Sequence, residues 1–230
     1  MSNQACTQER FLNDVANHTL KVIKDDGLHR HLSFTQDGSS VYRFDLITWP
    51  GYLCICGDMG EYVFRRLPDM FEFFRMDKND FMNKPDQKLS INPHYWSEKL
   101  QATPCNDSDR GSKFCFEEFE SSVWSYFESH CEEPGTESYQ NGDEFDQEGF
   151  DDAIEQHEEI KSDLKNALFL SEHDEYGAVA LIRDFDSNDF RFEDWEGRDT
   201  VYRFHYLWCL YAIVWGVQQY DAAKNSEVAA

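Results

Sequence analysis

Between residues 28 and 67 the chain alternates apolar and polar positions, in LHRHLSFTQDGSSVYRFDLITWPGYLCICGDMGEYVFRRL. The period of two, the β-branched and aromatic content, and the breaks at Asp37-Gly38, Pro50-Gly51 and 57–60 predict a β-meander of four strands. Upstream, Phe11, Val15, His18 and Val22 recur at helical spacing as far as Gly27, so residues 9–27 read as a helix. Pro68 and Pro93 each sit just inside the start of a short helix. Phe116, Phe119, Val123, Trp124 and Phe127 mark an amphipathic helix whose outer face is acidic.

Pro134, Gly135 and Asn141-Gly142 make residues 132–149 a loop, and Phe150, Ile154, Leu164 and Leu168 open a helix after it. YGAVALIRDF fits either a strand or a helix. The apolar run FHYLWCLYAIVWGV, residues 204–217, falls short of the ~20 residues of a membrane span and reads as a buried helix, from 201 to about 219. The fold class is α+β: an N-terminal antiparallel β-meander packed by helices, followed by a helical, acidic C-terminal half. The domains are 1–113 and 114–230, or one single domain.

Placing two-residue and 57–60 turns in the meander sets its register. Asp45 then faces Cys56, Ile47 faces Cys54 and Cys56 faces Glu61. One face collects Leu32, Phe34, Tyr42, Phe44, Leu46, Leu53, Ile55, Tyr62 and Phe64, a core face. The other collects His29, His31, Arg43, Asp45, Trp49, Tyr52, Cys54, Cys56, Glu61 and Arg65. If His31 faces Asp45, then His31, Asp45, Cys56 and Glu61 form a row with ~4.8 Å between strands. A Cys–His pair needs direct hydrogen-bond reach, and Asp45 would stand between them. A zinc site needs a closed tetrahedral set, which a flat row does not supply.

Charge changes the picture. Residues 1–113 carry sixteen acids and fourteen bases, residues 114–199 twenty-seven acids and five bases, and residues 200–230 two of each. Nearly all of the formal net charge of −24 therefore lies in one block. Such a chain repels nucleic acid and anionic membranes, and it suits a basic partner. The seven cysteines are an odd number, and the start MSNQACTQERF has no apolar signal core, so reduced thiols in a cytoplasm are expected. No phosphate loop, dinucleotide fingerprint, nucleophile elbow or H-E-x-x-H motif occurs. No catalytic residue, metal or cofactor is expected.

The carboxylates of the block alternate with aromatics, as on a folded surface. Such an array resembles the phosphates of DNA, and a protein that binds nucleic acid through Lys and Arg would be drawn to it. The candidate partner-binding residues are Glu117, Glu118, Glu120, Asp143, Glu144, Asp146, Asp151, Asp152, Glu155, Glu158 and Glu159. Phe204, Trp208, Tyr211 and Trp215 form a stripe that reads as core or, alternatively, as a homodimer interface.

FDLITWPGYLCICGDMGEYVFRRLPDMFEFFR, INPHYWSEKLQA and the C-terminal YRFHYLWCLYAIVWGVQQYDA are similar to an uncharacterised family of phage- and prophage-encoded proteins of Gram-negative bacteria. The resemblance covers roughly residues 10–102 and the C-terminal segment, and it carries no assigned reaction. It implies a phage origin and a host bacterial cytoplasm, where small acidic phage proteins often counter host defence. The expectation is a non-enzymatic inhibitor of a host defence effector complex, with anti-CRISPR activity the leading case, acting by acidic DNA mimicry. The alternatives are an enzyme using the His31/Asp45/Cys56 face and a dimeric structural or regulatory phage protein.

Overall fold

A computed structural model describes residues 6–75, 88–105, 110–141, 144–171, 175–197 and 199–228. In chain order its main elements are α1 (Gln8–Asp14), β1 (Thr19–Asp26), β2 (His29–Thr35), β3 (Phe44–Trp49), β4 (Tyr52–Gly57), β5 (Tyr62–Arg65), α2 (Met70–Phe74), α3 (Pro93–Ser97), β6 (Leu100–Ala102), α4 (Phe116–His130), α5 (Gln147–Ser171), α6 (Glu175–Asp184) and α7 (Phe204–Val228). The fold is α+β. Met1–Lys113 and Tyr202–Ala230 form one compact unit, and Phe114–Val201 form a second.

The first unit is built on a six-stranded sheet in the order β1-β2-β3-β4-β5-β6, antiparallel throughout. Two strands lie outside the expected meander. The segment 19–26 is β1 and not the end of a helix; α1 stops at Asp14. Thr19, Val22 and Ile23 are β-branched, and pairing with β2 outweighs the helical spacing of the apolar residues. Gly27, at φ +60°, turns the β1–β2 hairpin. At Pro50-Gly51 the register runs Trp49 to Tyr52, a two-residue turn in which Gly51 takes φ +85°.

The expected core face is present. Leu32, Phe34, Leu46, Leu53, Ile55 and Phe64 are fully buried, and Phe44 and Tyr62 nearly so. Helix α7 lies against it. Gly216 allows the close approach, since a Cβ there would lie 2.7 Å from Leu46 and 3.1 Å from Phe34. Trp215 packs on Phe34 at 5.4 Å and Trp208 on Phe44 at 5.7 Å. Over residues 204–217 α7 is apolar on nearly all sides and enclosed, whereas its last turns are polar and exposed. The stripe Phe204, Trp208, Tyr211, Trp215 belongs to this core.

Charged side chains reach the edge of that interior, Asp14 accepting from the Trp208 indole N–H at 3.2 Å and Arg30 entering beside α2. Arg30 is buried at the end of the core face, paired with both carboxylate oxygens of Asp69 at 2.9 Å and set over the Phe71 ring at 4.6 Å. Asp69 also accepts from Phe71 N at 2.9 Å, capping α2.

The second unit has its own core. Phe119, Val123 and Phe127 of α4, Ile160, Leu164 and Leu168 of α5, and Ala178 and Leu181 of α6 meet around Phe190. YGAVALIRDF resolves as helix α6. Residues 132–149 are not wholly loop: Thr136–Tyr139 form a 3-10 turn, and Gln140–Asn141 pair with Glu144–Phe145. Among the described residues no helix is long and apolar enough to cross a membrane.

Candidate acidic docking surface

Helix α5 turns a single face inward, with His157, Ile160, Leu164, Leu168 and Ser171 buried at intervals of three and four. Its carboxylates Glu148, Asp151, Asp152, Glu155, Glu158, Glu159 and Asp163 are all exposed. At about 100° per residue these seven fall within an arc of roughly 140°, opposite the buried stripe. They occupy about 22 Å of helix axis, a mean spacing of ~3.7 Å. A single DNA strand carries one phosphate per ~3.4 Å. The likeness is in linear charge density.

Local contacts divide this row. Asp151 accepts from Gln147 at 2.7 Å, and Glu158 pairs with Lys161 at 3.4 Å. Glu159 accepts from Asn188 at 2.9 Å and Asp163 from Ser187 at 2.7 Å, so the two tether the 186–197 loop. Among the described residues no donor reaches Glu148, Asp152 or Glu155, and these are the carboxylates of the row most open to a partner. Glu148 and Asp163 were not among the expected residues; their three- and four-residue spacing from Asp151, Asp152 and Glu159 is the signal that places them.

The other expected residues are not all part of the row. Glu117, Glu118 and Glu120 sit on α4. Glu117 and Glu118 lie in its first turn, where the helix dipole favours negative charge, and Glu117 accepts from the Cys115 thiol at 3.1 Å. Asp146 accepts from Gly149 N at 3.0 Å and so helps start α5. Glu144 is exposed on the short hairpin. Asp143 lies outside the described residues.

The polar face of the sheet is the competing site. Asp45 faces Cys56 and Ile47 faces Cys54, as the register requires. His31, however, faces Ile47, while Ser33 faces Asp45. His31 still reaches Asp45 diagonally, Nε2 to Oδ2 at 3.2 Å, and Arg43 meets the same oxygen at 3.2 Å. Asp45, Cys56 and Glu61 line a shallow cavity of about 350 Å³ with Arg43 and Asp58. A hydrogen bond from Cys54 lowers Cys56 to about 7 and pushes Cys54 up. Asp45 and Glu61 oppose that ionisation and His31 favours it, but His31 Nε2 is engaged by Asp45 and not by the thiol.

A second thiol–imidazole contact went unforeseen, Cys131 Sγ at 3.6 Å from His157 Nδ1. Burial pushes Cys131 up, and its place at the C-terminal end of α4 disfavours a thiolate. Among the described residues no group of three or more His, Cys, Asp or Glu side chains is arranged to hold a metal ion. No family model, curated protein or solved structure matches this chain.

Proposed function

We propose that the chain is a phage-encoded, non-enzymatic inhibitor that docks on the nucleic-acid-binding surface of a host defence complex, with a CRISPR effector as the leading target. The observation that carries the proposal is the outward row of α5, seven carboxylates at a strand-like density on a helix held by its own core. A surface of this kind attracts Lys and Arg groups already arranged to follow a phosphate backbone. Binding excludes the nucleic acid by competition and needs no reaction.

Association with such a partner is fast at low salt and weakens as salt screens the charges. The test is capture from a Gram-negative host lysate with the intact chain and with Asp151→Lys/Asp152→Lys/Glu155→Lys. The expected result is a nucleic-acid-binding protein that is retained at low salt, released at high salt or by duplex DNA, and bound at least ~10-fold more weakly by the variant. Capture that survives both high salt and charge reversal sinks the proposal. Cys56→Ser, which leaves the row intact, is expected to change nothing.

A further inference from the structure

The most exposed large apolar side chains among the described residues fall within one short stretch of the second unit. Phe169, Leu170 and Tyr176 are 74%, 85% and 86% exposed, and Val179 is 58% exposed. Phe169 and Leu170 lie in the last turn of α5, and Tyr176 and Val179 in the first turns of α6. Both helices fill the core of the unit with other residues, Ile160, Leu164 and Leu168 from α5 and Ala178 and Leu181 from α6. None of the four exposed side chains belongs to that core. Leaving them in water forgoes the gain that burial would bring, and exposed apolar side chains gathered in one place mark a contact surface.

Their place on α5 ties them to the acidic row. Phe169 follows Asp151 and Leu170 follows Asp152 by eighteen residues, about five turns at ~3.6 residues per turn. Each of the two is therefore in line with a carboxylate, inside the outward arc and opposite the buried stripe. Asp163, the last carboxylate of the row, precedes Phe169 by roughly 9 Å of helix axis. The outward face of α5 is one strip, charged for most of its length and apolar at its end. A second copy of the chain is a poor occupant, because it brings its own seven carboxylates alongside and like charges repel. Four side chains are also fewer than the roughly 20–30 residues a side of a stable interface. The patch needs adjoining surface, and on α5 the adjoining surface is the row.

We propose that Phe169, Leu170, Tyr176 and Val179 are the apolar anchor of the docking surface, received by a hydrophobic pocket that borders the row of Lys and Arg groups on the partner. The inference rests on the acidic docking reading and deepens it, since it states the partner's chemistry: cationic along the row, then apolar. The two parts act at different stages. The carboxylates act at a distance, speeding the encounter and setting its salt dependence. The apolar end acts on contact, slows dissociation and is not screened by salt. A phosphate backbone has no such end, so the anchor lets the protein outlast the nucleic acid that it displaces.

The test compares two peptides of equal charge on the full chain by surface plasmon resonance: octa-lysine, and an amphipathic helical peptide with as many lysines on one face and leucines on the other. The leucine–lysine peptide is expected to bind at least ~10-fold tighter and to keep that advantage at high salt. Phe169→Ser/Leu170→Ser is expected to erase the advantage through faster dissociation, with the salt dependence unchanged. Phe169→Met/Leu170→Met, which stays apolar, is expected to retain it. Asp152→Asn/Glu155→Gln is expected to slow the association of both peptides. Phe169 and Leu170 stand outside the core, and far-UV circular dichroism checks that the variants fold. An advantage that survives Phe169→Ser/Leu170→Ser overturns the anchor. Equal binding of the two peptides, weakened by Asp152→Asn/Glu155→Gln, also overturns it and leaves the docking reading standing. Self-association in sedimentation that Phe169→Ser/Leu170→Ser abolishes assigns the patch to a second copy and overturns it as well. If neither peptide binds at low salt, both readings fall.

Discussion

In the first unit, Asp25, Asp69 and Asp221 each meet a cation, Lys224 at 2.7 Å, Arg30 at 2.9 Å and Arg75 at 2.9 Å. These pairs join distant parts of the chain, and Arg75 and Asp221 are 146 residues apart. Among the described residues of the second unit the pairs are local: Lys161 with Glu158, Arg183 with Asp184 and Arg191 with Asp186. Charge in the first unit therefore contributes to holding the fold, whereas in the second it is in large excess over what the fold uses. An excess that the fold does not use is what a docking surface requires. The aromatic and aliphatic cores, by contrast, follow the same logic in both units.

The largest test of this contrast lies in the core. Phe34→Ala is expected to cost about 3–5 kcal/mol, by lost burial and the cavity left between the sheet and α7, measured by urea unfolding. Next is the ion pair at its margin. Asp69→Ala leaves the buried Arg30 uncompensated and uncaps α2, and is expected to cost roughly 3 kcal/mol. A cost no larger than that of an exposed Asp would remove the distinction between the two units.

The same pair predicts an acid response. Burial alone would raise Asp69, but the Arg30 hydrogen bonds and Phe71 N–H outweigh it and bring Asp69 below its ordinary value. Asp25 is also lowered, mainly by Lys224. A lowered folded-state value means that the stabilisation is complete above the unfolded carboxylate range, near pH 4, and is lost as pH falls through the folded value. Hydrogen exchange is expected to show protection at the β1 and α2 ends of the first unit declining below about pH 4.

A smaller effect separates the units by salt. Self-repulsion among twenty-seven acids facing five bases in residues 114–199 is screened at high ionic strength, while the near-balanced residues 1–113 gain little. Peptide-resolved exchange is expected to show added salt stabilising α5 by an amount on the order of 1 kcal/mol, with α7 nearly unchanged. Smallest of all, Glu155→Gln is expected to move unfolding by less than ~0.5 kcal/mol while weakening the partner. A large stability change there would make the row a structural feature.

Much of the sheet was legible, because alternation over Leu32, Phe34, Phe44, Leu46, Leu53 and Ile55 admits one register in which these six side chains turn inward together. The turn at Pro50-Gly51 then fixed which residues oppose each other. Strand β1 was obscured because Phe11, Val15, His18 and Val22 keep a helical period across the end of α1 into a strand, and only pairing with β2 separates them. His31 was misplaced because pairing opposite Ile47 does not prevent a long side chain from reaching Asp45 diagonally.

Composition groups residues 114–230 together, whereas packing groups Tyr202–Ala230 with the sheet. A segment apolar on nearly all sides does not announce which core it enters. At the candidate site, the exposure of Asp151, Asp152 and Glu155 followed from helical spacing. The contact of Tyr126 with Trp195 did not, because the two are far apart in sequence and meet only where the 188–197 segment packs on α4.

The discontinuity of the first unit bears on how the chain is made. Its sheet is synthesised first, but the helix that covers it, α7, comes last, after the whole of Phe114–Val201. During synthesis the apolar face of Leu32, Phe34, Leu46 and Ile55 must wait for more than a hundred residues of further chain. The second unit is contiguous and has its core complete beforehand, so it can fold on the ribosome while the first is still open. For that interval the nascent chain presents a net negative charge before its sheet is closed, and that charge disfavours association of one exposed sheet face with another.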